Sequence, residues 1–314
     1  METEGKVAWV TGAKGFLGSQ VARSLGARGW RVVGMARSAA TCPAETQSPD
    51  TAWLGGGVCE ASISQAFGCY GPPALVLHAA GAGTVRQVEE DPSGCFADTV
   101  QTTELLCEAL RDSAPQASLI LASSAAVYGD AGARRLEETS PAHPTSTYGR
   151  HKCLAEEACR RASDAHGLRT IAIRYFSLYG PGLRKQIVWD LFRRIHGGES
   201  RIELFGDGAE TRDFLFIDDA VALALQAYGQ APGGHSVFNG GSGVGTTVAR
   251  LAESIIAALG ADAAVTFNGQ RREGDPRHLV ASPLKARSIG FQAETGLADG
   301  LARVARWVRS LDRV

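Results

Sequence analysis

A serine, a tyrosine and a lysine have the types and spacing needed to move a proton to or from a hydroxyl group. Tyr148 and Lys152 are four residues apart in a segment with helical periodicity, so they share one face of a predicted helix. Tyrosine, with a pKa of about 10, is a weak base at neutral pH, and a cation held close to it favours the phenolate. Ser124 ends an apolar, strand-like run, where its hydroxyl could bond a substrate carbonyl or alkoxide.

A glycine-rich segment near the start of the chain has the spacing of a dinucleotide-binding turn. It lies directly after a strand-like run, opens a helical pattern, and reads Thr11-Gly12-Ala13-Lys14-Gly15-Phe16-Leu17-Gly18. Its three glycines permit a tight turn, close approach of the backbone to a pyrophosphate, and close packing of helix on strand. The helix N-terminus favours the negative charge of that pyrophosphate.

The residues after the second strand-like run indicate which dinucleotide is preferred. An acidic residue there would bond the adenosine ribose 2′-hydroxyl, but the stretch Val33–Ser38 has no carboxylate and carries Arg37 instead. A guanidinium suits a 2′-phosphate, and Lys14 is a candidate second cation. The sequence therefore favours NADP, with NAD as the alternative.

The elements that must position these residues follow from the hydrophobic pattern. The chain has 314 residues, of which 44% are hydrophobic and 21% charged, as in ordinary globular proteins. Apolar runs predict strands at 7–10, 31–35, 75–78, 119–122 and 170–174, and helical spacing predicts helices at 17–28, 96–113 and 146–166. Their alternation predicts an α/β fold with a doubly wound parallel sheet and a smaller, discontinuous second domain. The dinucleotide domain is expected at 1–176 and about 213–240, and the substrate domain at about 177–212 and 241–314.

Composition makes several other functions improbable. A formal net charge of −1 lacks the basic field that nucleic acids or anionic membranes would require. No apolar run approaches the roughly 20 residues that span a bilayer, and the polar start of the chain is unlike a signal peptide, so a cytoplasmic location is expected. The seven cysteines form no Cys-x-x-Cys pair and the seven histidines are scattered, so no metal is expected.

Seven motifs in this order resemble the extended short-chain dehydrogenases, the NAD-dependent epimerase/dehydratase family of nucleotide-sugar enzymes. The resemblance covers nearly the whole chain. It rests on the segments at 11–18, 76–80 (Val-Leu-His-Ala-Ala), 123–129, 148–152, 174–182 (Arg-Tyr-Phe-Ser-Leu-Tyr-Gly-Pro-Gly), 211–219 (Thr-Arg-Asp-Phe-Leu-Phe-Ile-Asp-Asp) and 271–275 (Arg-Arg-Glu-Gly-Asp).

The resemblance implies a role for each matching residue. Ser124, Tyr148 and Lys152 would be the catalytic residues. The cofactor would be bound by Gly12, Lys14, Gly15, Phe16, Leu17, Gly18, Arg37, Ala79, Ala80, Tyr148, Lys152 and Tyr175. The nucleotide sugar would be bound by Ser124, Ser177, Arg212 and Arg272, with both arginines on its diphosphate. The predicted helices at 96–113 and 146–166 would form a four-helix interface in a homodimer.

The sequence departs from the family pattern in four respects. Ala125 and Ala126 stand where dehydratases place acidic residues, and alanine cannot transfer a proton, so a 4,6-dehydratase is improbable. Ser177 and Thr99 each stand where asparagine is usual. Glycine replaces an acidic residue within Gly55-Gly56-Gly57. These changes concern the substrate and the fine geometry of cofactor binding.

Three functional hypotheses remain at this stage. The first is a nucleoside-diphosphate-sugar epimerase acting at C4, in which Tyr148 removes a hydroxyl proton while a hydride passes to the nicotinamide and returns to the other face of the ketose. The second is an NADPH-dependent reductase of a nucleotide-linked 4-keto-6-deoxy sugar, which Arg37 favours. The third is a non-catalytic dinucleotide-binding regulator, against which the intact set of Ser124, Tyr148 and Lys152 argues.

Overall fold

Strands and helices alternate through the first part of the chain. The structure is a computed structural model that describes residues 5–38, 51–132, 134–270 and 276–311. In chain order the elements are β1 (Val7–Thr11), α1 (Phe16–Gly26), β2 (Arg31–Met35), β3 (Thr51–Leu54), α2 (Glu60–Tyr70), β4 (Leu75–His78), α3 (Val85–Glu90), α4 (Pro92–Phe96), a π-helical turn (Ala97–Gln101), α5 (Thr102–Ser113), β5 (Ser118–Ser124), a 3-10 turn (Ala125–Val127), α6 (Thr147–His166) and β6 (Arg169–Tyr175).

The remainder of the chain has shorter strands and less regular alternation. Its elements are β7 (Ser177–Tyr179), α7 (Gln186–His196), β8 (Arg201–Leu204), β9 (Thr211–Phe216), α8 (Ile217–Gln230), β10 (His235–Gly240), β11 (Gly245–Thr247), α9 (Val248–Leu259), β12 (Ala264–Phe267), β13 (His278–Leu279), α10 (Leu284–Ser288) and α11 (Leu297–Leu311). None of the helices within the described ranges is both long and apolar enough to cross a membrane.

Seven strands form one sheet in the order β10-β6-β5-β4-β1-β2-β3. Pairing is parallel between β1 and β2, β1 and β4, β2 and β3, and β4 and β5. The order reverses between β1 and β4, and doubly wound sheets bind their ligands at the carboxyl ends of the strands beside such a reversal. The predicted α/β fold with a doubly wound parallel sheet is confirmed.

The sheet is buried on both faces, as its continuous apolar strands require. All four residues of β4 and the last four of β1 and β2 are buried. Trp9 of β1 is fully buried, and its ring meets Phe67 of α2 edge-on with centroids 4.7 Å apart. A buried aromatic side chain of this size contributes a few kcal/mol of hydrophobic stabilisation, about 1.5–3 on area alone.

The chain divides into two compact units. Unit 1 comprises residues 1–127, 144–174 and 221–238, and unit 2 comprises residues 128–143, 175–220 and 239–314. Unit 2 contains a small sheet in the order β11-β9-β13, with β7 also paired to β9, and a separate β8–β12 pair. In unit 2 the buried Asp213 carboxylate accepts hydrogen bonds from the backbone N–H groups of Ser242, Gly243 and Ala281. The assignment of dinucleotide and substrate to different domains stays a prediction.

Most predicted elements occur within a residue or two of their expected bounds. The strands at 31–35 and 75–78 match β2 and β4, and the helix at 146–166 matches α6. The helix expected at 96–113 is instead three pieces, since a π-helical turn separates α4 from α5. Within that turn, Thr99 accepts a hydrogen bond from the Ala82 N–H of the loop after β4.

Candidate active site

The glycine-rich turn after β1 packs so closely against neighbouring backbone that two of its positions have no room for a side chain. Gly12 has a φ of +62°, and a Cβ placed on it would lie 2.5 Å from the Ala79 carbonyl oxygen. A Cβ on Gly18 would lie 2.3 Å from the Gly12 carbonyl oxygen. α1 begins after Gly15, and no side chain caps its N-terminus. Backbone N–H groups at such an uncapped helix start suit a pyrophosphate, so this segment fits a dinucleotide.

A buried histidine holds the neighbouring loop after β4. His78 Nδ1 is 2.7 Å from the Thr11 hydroxyl, which accepts a hydrogen bond from the Ala80 N–H at 3.1 Å. His78 Nε2 is 3.3 Å from the Thr102 hydroxyl, which itself donates to the Asp98 carbonyl. Thr102 therefore accepts from Nε2–H, and Thr11 donates to Nδ1. Burial, and secondly the charge of Lys152, lower the pKa of His78 to about 3, so the ring stays neutral.

The π-helical turn ties a second point of the same loop. The Thr99 hydroxyl accepts a hydrogen bond from the Ala82 N–H at 3.2 Å. A Cβ on Gly81, whose φ is +119°, would lie 2.7 Å from that hydroxyl oxygen. Thr99, which replaces the usual asparagine, thus fixes the backbone that follows Ala79 and Ala80. Its contribution was missed in the sequence, where only the departure from the family pattern was evident.

Two cations and one anion, contributed by different segments of the chain, lie near the end of β2. Arg37 Nη1 lies 3.4 Å from Asp98 Oδ2, with 79% of the Arg37 side chain and 41% of the Asp98 side chain exposed. Lys14 Nζ donates to the Ser38 carbonyl at 3.0 Å. The backbone of Arg37 accepts a hydrogen bond from the Gly56 N–H, in the glycine segment that replaces the usual acidic residue. The Arg37 guanidinium therefore already has a carboxylate partner that the sequence did not indicate.

Ser124, Tyr148 and Lys152 lie together at the carboxyl end of β5. The Ser124 side chain lies close enough to Tyr148 to act on its hydroxyl as a hydrogen-bond partner. Lys152 Nζ lies 5.9 Å from the centroid of the Tyr148 ring and donates to the Ala122 carbonyl at 2.9 Å. The Ser124 hydroxyl oxygen also accepts a hydrogen bond from the Ala126 N–H at 3.2 Å.

Close backbone packing brings Tyr148 to Ser124. Ser146 caps α6, since its side chain accepts a hydrogen bond from the Gly149 N–H at 3.1 Å. A Cβ on Gly149 would lie 2.5 Å from the Ala126 carbonyl oxygen, so only glycine lets α6 approach the turn after Ser124. Gly149 was not predicted as a site residue.

Burial sets the proton affinities of the tyrosine and the lysine. It raises the pKa of Tyr148, and the Ser124 hydrogen bond offsets part of that effect. Burial also lowers the pKa of Lys152 to about 8, against an opposing effect of Glu156. Loss of solvent is the larger of the two effects on Tyr148, and the expectation that the Lys152 cation favours the phenolate stays a prediction.

A buried ion pair lies directly behind the three side chains. Glu156, one helical turn after Lys152, accepts hydrogen bonds from Arg174 Nη2 at 2.8 Å and Nε at 3.1 Å. It also accepts one from the Ser123 hydroxyl, the neighbour of Ser124. Both charged side chains are about nine-tenths buried. The pair fixes α6 against β5 and β6. Ser123 and Arg174 begin two of the motifs recognised in the sequence, whereas Glu156 was not identified there.

Of the predicted substrate residues, Ser124 lies in unit 1, whereas Ser177 and Arg212 lie in unit 2. Ser177 begins β7, and Arg212 in β9 donates to the carbonyls of Thr211 and Arg277. Tyr175, predicted to bind cofactor, is buried in unit 2 and donates to the Ala220 carbonyl at 3.2 Å. Arg272, with the rest of 271–275, lies outside the described residues. In the part of the chain that the structure describes, no three His, Cys, Asp or Glu side chains cluster as metal ligands would.

Proteins with this arrangement of motifs are known. The chain is 29% identical to a UDP-glucose 4-epimerase of Mycolicibacterium smegmatis, over 96% of this chain and 98% of that protein. It is 27% identical to a dTDP-L-rhamnose 4-epimerase of Burkholderia thailandensis, over 99% and 97%. The solved structure of MoeE5 in complex with UDP-glucuronic acid and NAD has 29% identity and a TM-score of 0.86, covering 98% of this chain and 99% of that one.

A match to a family profile shows the family of this chain. The profile of the NAD dependent epimerase/dehydratase family matches residues 8–241. That range contains the glycine-rich turn, the loop held by His78, and the Ser124, Tyr148 and Lys152 side chains. This chain belongs to the NAD dependent epimerase/dehydratase family.

Proposed function

We propose that this protein is a nucleoside-diphosphate-sugar 4-epimerase that works with bound NAD. The observation that carries the proposal is the joint presence, in unit 1, of a tight glycine-rich turn with an uncapped helix start and of the clustered Ser124, Tyr148 and Lys152 side chains. Full-length similarity to a UDP-glucose 4-epimerase and a dTDP-L-rhamnose 4-epimerase supports reaction at C4 of a nucleotide-linked sugar.

NAD is the better choice of cofactor, and the preference for NADP drawn from Arg37 finds no support. The similar MoeE5 structure was solved with NAD. The physical reason lies beside Arg37, where the Asp98 carboxylate already pairs with the guanidinium. A 2′-phosphate arriving there would meet a negative charge as well as a positive one.

The three clustered side chains divide the proton chemistry between them. Bound NAD would supply a hydride acceptor that returns the hydride, so that no net oxidation occurs. Tyr148 Oη would take the proton from the C4 hydroxyl and return it to the C4 oxygen when the 4-ketose is reduced on its opposite face. Ser124 would donate a hydrogen bond to the C4 oxygen, and the Lys152 cation would favour the deprotonated tyrosine.

The alternative of a 4-keto-6-deoxy-sugar reductase is less well supported. It rested on Arg37 as a marker of NADPH, and Arg37 is paired with Asp98. A 4,6-dehydratase is disfavoured for a separate reason, because Ala125 and Ala126 in the 3-10 turn after Ser124 carry no group that could transfer a proton. The homodimer through α5 and α6, the cytoplasmic location, and the roles of Ser177, Arg212 and Arg272 stay predictions.

The Tyr148→Phe substitution tests the proposal. UDP-glucose and its C4 epimer are separated by chromatography after incubation with the enzyme, while bound NAD is quantified by mass spectrometry. We expect turnover to fall by about 10²–10⁴-fold, as for loss of a general base, with bound NAD unchanged. The matched control is Tyr70→Phe, which removes a hydroxyl at the end of α2.

Two outcomes would contradict the proposal. Turnover within tenfold of the parent in Tyr148→Phe would exclude Tyr148 as the base. Stoichiometric consumption of a reduced dinucleotide during turnover of the parent protein would exclude an epimerase and favour the reductase.

A further inference from the structure

We propose that Asp98 sets the preference of this protein for NAD over NADP, by pairing with Arg37 and adding a negative charge at the end of β2. The inference deepens the proposed function, because it rests on dinucleotide binding at the glycine-rich turn. Arg37 lies two residues after Met35, the last residue of β2, and in doubly wound folds the end of this strand is where the adenosine ribose is recognised.

The position of Asp98 is fixed by its surroundings. It lies in the π-helical turn, and its backbone carbonyl accepts a hydrogen bond from the Thr102 hydroxyl at 2.7 Å. The next residue, Thr99, is buried and accepts a hydrogen bond from the Ala82 N–H. π-Helical turns inside α-helices occur frequently at functional sites, and this one directs a carboxylate to a cation 61 residues away in the chain.

The local charges explain why one carboxylate can decide between the two cofactors. Among the described residues, Lys14 and Arg37 are cations near the end of β2, and Asp98 is an anion paired with Arg37. An exposed pair of this kind adds little to folding stability. Its effect on a ligand is different, because a ribose 2′-hydroxyl is neutral whereas a 2′-phosphate carries about −1.5 to −2 charges.

Removing the Asp98 charge should therefore act on NADP and leave NAD nearly unaffected. Asp98→Asn keeps the size of the side chain and removes the repulsion. For charges several ångströms apart in a largely aqueous setting, Coulomb's law gives an increase in NADP affinity of about three- to tenfold. Because Arg37 and Asp98 are exposed, the increase should shrink as salt is added.

The test measures which dinucleotide the protein holds under competition. Purified protein is incubated with equal concentrations of NAD and NADP until exchange is complete, separated from free ligand, denatured, and analysed by mass spectrometry. The parent protein should hold mainly NAD, and Asp98→Asn should raise the ratio of NADP to NAD by about three- to tenfold. The double variant Asp98→Asn/Arg37→Gln should lose that gain, since the cation that attracts the phosphate is gone.

A second acidic residue provides the matched control. Asp112 is exposed, pairs with Arg111 at the end of α5, and its replacement by asparagine changes the net charge equally. Asp112→Asn should leave the ratio unchanged. An Asp98→Asn ratio within twofold of the parent, or a parent that prefers NADP, would overturn the inference. A parent protein that binds neither dinucleotide would instead refute the proposed function.

Discussion

Gly18→Ala tests the close approach of the glycine-rich turn to α1. The substitution places a methyl group where its carbon would lie 2.3 Å from the Gly12 carbonyl oxygen, whereas ordinary contacts begin at 3.4 Å. That oxygen must therefore move by about 1.1 Å, which displaces the turn proposed to bind the pyrophosphate. Forced overpacking of this size costs about 1–3 kcal/mol, and the higher helix propensity of alanine returns about 1 kcal/mol.

Gly68→Ala is the matched control. Gly68 lies in α2, is exposed, and a Cβ on it would meet nothing within 4 Å. The Gly68→Ala variant should benefit from the higher helix propensity of alanine without any packing cost, and its free energy of unfolding should rise by about 0.5–1 kcal/mol. The two variants should thus differ by about 1–3 kcal/mol in urea unfolding. NAD retention after purification should also fall in Gly18→Ala, with a dissociation constant raised at least about tenfold, or about 1.4 kcal/mol.

The result that refutes this reasoning is equal behaviour of the two variants. If Gly18→Ala unfolds at the same urea concentration as Gly68→Ala and holds NAD equally well, the turn does not press on α1 as described. A loss of NAD binding without a loss of stability would locate the effect in the turn alone, with the packing cost relieved by movement of Gly12.

Two further predictions concern the groups that hold the site. Glu156→Gln leaves the buried Arg174 guanidinium without its counter-charge and should lower the free energy of unfolding, measured in urea, by about 3 kcal/mol. The control is Glu157→Gln, which changes the exposed neighbouring carboxylate and should lower that free energy by less than about 1 kcal/mol. Equal effects of the two substitutions would contradict the burial of the Glu156–Arg174 pair. His78 has a pKa of about 3 in the folded protein against 6.5 when unfolded, so the unfolded chain binds the proton first and stability falls as pH drops through that interval. Urea unfolding at pH 6.5 and about 5 should show a loss of about 2 kcal/mol due to His78, which His78→Asn should remove; an unchanged pH slope would show that the ring is not held neutral.

Local signals account for what the sequence predicted well. The strands β1, β2 and β4 are continuous apolar runs because both faces of the sheet are covered, so composition alone marks them. The glycine-rich turn is recognisable because its glycines lie where a Cβ would come too close to nearby backbone, as a Cβ on Gly18 would to the Gly12 carbonyl. α6 was bounded within one residue because Ser146 supplies an ordinary N-cap.

Weaker local signals explain the elements that were missed. β3 lies at the edge of the sheet and only Leu54 among its four residues is buried, so it lacks a clear apolar run. α2 contains Gly68 and is capped by Cys59 with Ser62, a combination that is not a familiar start signal. The π-helical turn interrupts a segment whose hydrophobic spacing is compatible with one continuous helix, and its cause lies in hydrogen bonds of Thr99 and Thr102 to residues elsewhere in the chain.

The preference for NADP was inferred from Arg37 without regard to the charges that surround it in the folded protein. Arg37 alone is a sound indicator of a phosphate, because a guanidinium after β2 without a nearby carboxylate would have no other strong partner. What a charged side chain selects depends on the sum of charges around it, and the partner of Arg37 comes from a turn 61 residues away. No local pattern at position 98 marks that pairing, since an acidic residue in a helix is usually a solvated one. The charge that decides between NAD and NADP is therefore a property of the folded site rather than of either segment.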